Sequence, residues 1–197
     1  MTVKEELLNR FLGYVKVNTR SDESSKTVPS SSNQVAFLKT LGEELKELGL
    51  NNVRHEEDGY LFADLPANEA DVKAPSLGFI AHIDTADFNS ENIQPQIVKN
   101  YDGHSVIKLG QSGYELNPAV FPSLKKYENQ TLITTDGNTL LGADDKAGVT
   151  EIVTLALIMP SRLMGDPSVN WNGKLSMPHR LQLRFKDKTS TLELLRA

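Results

Sequence analysis

Val3, Leu7, Phe11, Leu12 and Val15 recur three and four positions apart, the period of one helix face, and predict an amphipathic helix over residues 3–17. Residues 18–33 are rich in serine, carry no apolar period and read as a loop. Phe37, Leu38, Leu41, Leu45 and Leu48 trace a second helix, with Gly49 placed to end it. Residues 52–56 and 60–65, split by Asp58-Gly59, predict a hairpin. The run from Leu77 to Ala81 is continuously apolar, as expected of a strand buried on both faces. Helices before and after such strands predict an α/β fold, a mixed sheet flanked by helices.

Residues 85–130 form a long excursion of the kind that often carries substrate contacts. Within it, two strands are expected at 96–100 and 105–109 around Asp102-Gly103, an irregular stretch at 117–122 and a short helical piece at 123–127. Residues 131–135 and 138–141 flank Asp136-Gly137 as a second hairpin. Residues 146–159 then predict a helix with Val149, Ile152, Val153, Ala156 and Leu157 inward.

At Pro160 the pattern changes. Residues 1–159 carry 14 Lys and Arg against 23 Asp and Glu, whereas residues 160–197 carry 7 against 3. No acid occurs from Ser168 to Lys186, a stretch that holds the only tryptophan, Trp171. Basic polar composition without periodicity reads as loop or disorder, or as translation out of frame. Two units are therefore expected: 1–159, and 160–197, an unrelated tail.

Composition narrows the chemistry. The chain has 197 residues, 39% apolar and 24% charged, enough to bury a core. A net charge of −5 argues against a nucleic-acid surface. No apolar run approaches a bilayer span and the N-terminus lacks the plan of a secretory signal, so a cytoplasmic, non-membrane protein is expected. With no cysteine, a disulfide framework and thiolate metal sites are excluded, and any zinc must use His and carboxylate.

Two stretches carry candidate chemistry. Gly142-Ala-Asp144-Asp145-Lys146-Ala-Gly148 places adjacent carboxylates at the start of the apolar helix. Such a pair suits a divalent cation, because one carboxylate reaches the ion while the backbone bend turns the other away. The same residues also suit a plain helix N-terminus, where Asp is favoured as cap and against the dipole. Lys146 either balances the local negative charge or is a solvated first-turn lysine. The second stretch, His82-Ile-Asp84-Thr85, ends the apolar run with two residues that share a strand face. That spacing lets a carboxylate hold the imidazole tautomer while the other ring nitrogen binds metal. His55 and His104 have no such partners and read as surface residues; His179, between Pro178 and Arg180, has no metal-type context.

Together with Gln94-Pro-Gln-Ile-Val98 and Gln130-Thr-Leu-Ile-Thr-Thr-Asp-Gly137, these motifs resemble the peptidase T family. It is the tripeptide aminopeptidase branch of the two-zinc, aminoacylase and carboxypeptidase-like metallopeptidases. The resemblance runs from about Val3 to about Met159 and implies a truncated zinc-peptidase catalytic domain acting on tripeptides. It implies that His82 ligates one zinc, that Asp144 bridges two, that Asp84 is the active-site carboxylate behind the metal ligand, and that the Asp144–Asp145 peptide is cis. In the family, a Glu-Glu pair beyond the next strand, a later Asp, a closing His and a dimerisation domain follow. Glu5-Glu6, Glu43-Glu44 and Glu56-Glu57 all precede the Asp-Asp motif, and none matches that pair. The expectation is a peptidase by lineage whose own chain is inactive. A non-catalytic truncated product, or a related dipeptidase or deacylase, are the alternatives.

Overall fold

The computed structural model describes residues 2–66, 77–163 and 180–186. Helix α1, Val3–Val15, opens with a capping box in which Thr2 accepts from the Glu5 backbone and the Glu5 side chain answers the Thr2 backbone. Two of the orphan N–H groups of a helix start are satisfied that way. Helix α2, Ser32–Glu47, starts with the same device from Ser31 and Gln34. Gly49 follows it with φ of +82°, a left-handed turn that glycine adopts without strain.

The first hairpin forms as β1, Asn51–His55, antiparallel to β2, Leu61–Pro66, with His55 opposite Leu61. Strand β3, Leu77–His82, lies further along the same sheet. Beyond it, β4, Gln96–Tyr101, pairs antiparallel with β7, Gln130–Thr134. Between these, β5, Ile107–Lys108, and β6, Glu115–Leu116, make a small ladder, and Pro122–Tyr127 is a 3-10 helix. Helix α3, Ala143–Leu163, carries Val149, Ile152, Val153 and Ala156 into the core. Strand β8, Arg180–Lys186, sits between β2 and β3, antiparallel to the first and parallel to the second. The sheet is therefore mixed, in the order β1-β2-β8-β3.

One apolar cluster joins Tyr14 of α1, Phe37, Leu38, Leu41 and Leu45 of α2, Leu61, Ala63 and Leu65 of β2, Ala81 and Ile83 at the end of β3, and the buried side of α3. Alternate residues of the strands enter this cluster, as the two-residue period of a pleated strand requires.

Three expectations are corrected. The continuous apolar run of β3 is not buried on both faces: Ala81 is buried but Ile80 is 60% exposed. Among the described residues the three helices meet a single core cluster, so the other face of β3 has no helix over it. The hairpin expected around Asp136-Gly137 does not form, because β7 pairs with β4 instead. Asp136 closes a local turn, its Oδ1 accepting from the backbones of Asn138 and Thr139 at 3.0 Å each, the way an Asx side chain imitates a backbone turn. Finally, the disorder expected across 160–197 does not hold for residues 180–186. Leu181, Leu183 and Phe185 alternate there with Gln182, Arg184 and Lys186, a strand period set in basic composition. Trp171 and His179 lie outside the described residues.

Candidate metal centre

The C-terminal end of β3 and the first turn of α3 come together. His82 Nε2 stands 3.0 Å from Asp144 Oδ1. On its other side, His82 Nδ1 faces the Asp84 backbone carbonyl at 3.0 Å and the Asp84 carboxylate Oδ1 at 3.2 Å, the carbonyl having the better hydrogen-bond geometry. Both oxygens can only accept, so Nδ1 carries the proton. The Asp84 carboxylate beside Nδ1 raises the imidazole pKa to about 9, against the lowering that burial exerts.

The two neighbouring aspartates are used differently. Asp144 is 84% exposed and points to the His82 ring. Asp145 turns inward: its carboxylate accepts from the Gly148 N–H at 3.1 Å and the His82 N–H at 3.4 Å. Burial raises its pKa, with His82 acting in the opposite sense. The peptide between the two aspartates is cis. Asp145 thus fastens β3 to the start of α3 and caps that helix, the role a short acidic side chain fills at a helix N-terminus. A substitution one turn away tests this fastening. A Cβ added at Gly148 would collide with Asp145 Oδ1. Gly148→Ala is expected to push the carboxylate off both donors and lower stability by about 1–2 kcal/mol, the range for losing a cap. A urea titration checks it, and an unchanged midpoint would show that Asp145 fastens nothing.

Lys146 is not a solvated first-turn lysine. It is fully buried, its Nζ donating to the Val17 carbonyl at 2.5 Å and lying 5.9 Å from the centre of the Phe37 ring. No carboxylate pairs with it among the described residues, and burial lowers its pKa to about 8. His55 and His104 are exposed, as their sequence context suggests.

A buried set of side chains behind Asp84 carried no sequence signal as a group. Thr19, Ser21, Gln34, Asp84 and Thr85 are all buried polar residues. Residues 19–21 lie in the serine-rich stretch, and only the Ser31-x-x-Gln34 capping pattern marked any part of it in advance.

Imidazole nitrogen and carboxylate oxygen, without thiolate, are donors that suit zinc. Two donors about 2.0–2.2 Å from one such ion stand roughly 3 Å apart, so the His82–Asp144 spacing fits a shared ion. Asp84 Oδ1, buried and without a hydrogen bond of good geometry, fits the part of an anion set behind a cationic centre. Among the described residues, however, no group of three or more His, Asp or Glu gathers to hold a metal.

No family model matches the chain. It is 64% identical over 151 residues to peptidase T of Limosilactobacillus fermentum, which covers 76% of this chain and 36% of that protein. Over 149 residues it is 60% identical to peptidase T of Streptococcus sanguinis, covering 75% of this chain and 36% of that protein. The likeness falls on the N-terminal portion of the chain, as the motifs indicate. Two crystal structures share the fold. Aminopeptidase PepT from Bacillus cereus matches with a TM-score of 0.58 at 19% identity, covering 93% of this chain and 36% of that one. A tripeptidase from Staphylococcus aureus matches with a TM-score of 0.55 at 20% identity, again over 93% and 36%. The chain thus spans 36% of the length of each of these two peptidase T relatives.

Proposed function

We propose that this chain carries the first part of a zinc-dependent tripeptide aminopeptidase catalytic domain, and that alone it does not hydrolyse tripeptides. The observation that carries the reading is the His82 ring, held at Nδ1 by Asp84 and presenting Nε2 to Asp144 across 3.0 Å. The relatives' name, peptidase T, supports the substrate class. His82 and Asp144 would hold the metal and Asp84 would stand behind His82. Two zinc ions per site are the family's number. When bound, zinc lowers the pKa of a coordinated water to about 7.

The chain's own residues supply the rest of what is proposed. Asp84 fixes which imidazole nitrogen is protonated and keeps the ring oriented, which makes it a stronger ligand. Asp144, exposed at the turn, is open to a peptide substrate. A carboxylate to accept the proton of the attacking water is also needed. Glu151 is the one acid of α3 beyond the Asp pair. It lies about two turns along, roughly 10 Å from Asp144 at 1.5 Å per residue, and is poorly placed to act as that base. We place the boundary of the peptidase-like part near Met159 and the protein in the cytoplasm, both on the family likeness. No helix of the described residues is long and apolar enough to cross a membrane.

The test is release of a free N-terminal residue from an unblocked tripeptide by the purified chain with added zinc. The expected result is no turnover above a zinc-only control. Turnover that disappears in His82→Ala would sink the inactive reading. Calorimetry on the same sample should give weak zinc binding, well short of the roughly 10–16 kcal/mol of a closed structural site, and a chelator should leave the melting temperature in place.

A further inference from the structure

The segment after α1 continues the sheet by other means. The Thr85 N–H donates to the Thr19 carbonyl at 3.1 Å and the Ser21 N–H to the Thr85 carbonyl at 2.9 Å, with Arg20 bridged to Thr85 in parallel. Thr19 Oγ1 donates to the Ile83 carbonyl at 2.7 Å. Residues 19–21 therefore run beside the stretch that bears Asp84, under cover of α2. Buried polar groups in such a place are satisfied or they are costly, so their partners are informative.

Gln34, in the first turn of α2, is fully buried. Its Oε1 accepts from Ser30 Oγ at 3.1 Å and the Ser31 N–H at 3.0 Å, which fixes the amide orientation and leaves Nε2 as donor. Nε2 reaches the Thr19 carbonyl at 3.2 Å, the Arg20 carbonyl at 3.5 Å and Ser21 Oγ at 3.5 Å. Ser21 Oγ in turn donates to Asp84 Oδ2 at 3.3 Å. A hydroxyl has one proton to give, and accepting from Gln34 steers that proton to Asp84. With Oδ2 engaged, the carboxylate keeps Oδ1 on the His82 side, 3.2 Å from Nδ1.

We infer that Ser21 and Gln34 are positioning residues, a buried relay from α2 that locks the Asp84 carboxylate beside His82 Nδ1 and so, together with the Asp84 carbonyl that accepts the Nδ1 proton, aims the His82 ring at Asp144. The role deepens the metal reading above and rests on it for its purpose, but the relay exists whether or not an ion is bound. Neither residue touches the reacting groups. The relay also explains what the serine-rich stretch contributes, since that stretch delivers Ser21 to the back of the site while the turn at 22–30 faces solvent.

The experiment is nitrogen-15 NMR of the whole chain, uniformly labelled, in chelator, following the His82 Nδ1–H proton. The wild type should show it in slow exchange with water. Ser21→Ala is expected to speed that exchange at least tenfold, and Ser21→Thr, which keeps the hydroxyl, to restore it. Gln34→Met should fall between, since Ser21 keeps its own proton. Backbone amide spectra of α3 and β1–β2 serve as the check on folding, because a merely structural loss would move them together with the ring proton. An unchanged ring proton in folded Ser21→Ala, or a Ser21→Thr chain no better than Ser21→Ala, would overturn the relay. Zinc titrated into the same wild-type sample separates the two readings. Ring signals of His82 that never respond to zinc count against the metal reading, while the exchange data still decide the relay.

Discussion

Leu41→Ala is expected to lower the unfolding free energy by about 3–5 kcal/mol, the upper part of the range for a buried leucine cut to alanine. Leu41 is fully buried at the middle of α2, inside the cluster that joins all three helices to the sheet. The loss has two parts: the transfer energy of the removed methyl groups, and a cavity whose walls cannot collapse. Here Leu41 belongs to a cluster drawn from all three helices and from the strands, so relaxation of one element leaves the others in place. Domains are stable by only about 5–15 kcal/mol, which makes this one substitution a large share of the total. Leu48, only partly buried at the rim of the same cluster, is the comparison. Urea midpoints for the two alanine variants check the claim, and a Leu41→Ala loss below about 1 kcal/mol would contradict the place of Leu41 in that cluster.

The second large effect belongs to Lys146. Lys146→Glu puts an uncompensated anion where the ammonium now meets the Val17 carbonyl and the Phe37 ring. An isolated buried charge with no partner costs on the order of 3–5 kcal/mol, and here the replaced donor also leaves a carbonyl unsatisfied. Lys146→Met keeps the volume and removes the charge but leaves the same carbonyl without its donor, so its loss should be about 1–3 kcal/mol, smaller than that of Lys146→Glu. The pH dependence follows from the lowered pKa. In the folded chain Lys146 gives up its proton near pH 8, well below the ordinary lysine value of 10.5. The unfolded chain then binds the proton more readily between those values, so stability rises with pH across that interval. Lys146→Met should flatten the rise. Equal stabilities for the Glu and Met variants at neutral pH would show that the site is wet.

Much of this molecule was legible because its elements announce themselves by period. Leu41 and Leu45 at helical spacing, and Asp58-Gly59 between two short runs, placed α2 and the first hairpin. The adjacency of His82 and Asp144 was legible only through paired motifs, since nothing local links a strand end to a helix start about sixty residues on. The errors have a common cause. Asp136-Gly137 is a good hairpin turn by local rules, but the partner of β7 is chosen by tertiary pairing with β4. Ile80 is apolar and exposed for a similar reason: a sequence shows that a strand could be covered, not whether a layer lies over it. The burial of Lys146 was equally hidden, because a long aliphatic stem with a charged tip is written the same way whether it points out or in.

The place of β8 has a consequence for how fast this chain folds. Leu77 pairs with Leu181 and Leu61 with Phe185, partners on the order of a hundred positions apart. Closing loops of that size costs entropy before any contact repays it, and topologies dominated by distant pairings fold slowly. β8 alone joins β2 to β3, and until it arrives each offers an unpaired edge to other chains. Each helix, and the β1–β2 hairpin, can form early from contacts close in sequence. Refolding should therefore run in two stages, a fast one that the helical signal reports and a slow, concentration-sensitive one that waits for the sheet to close.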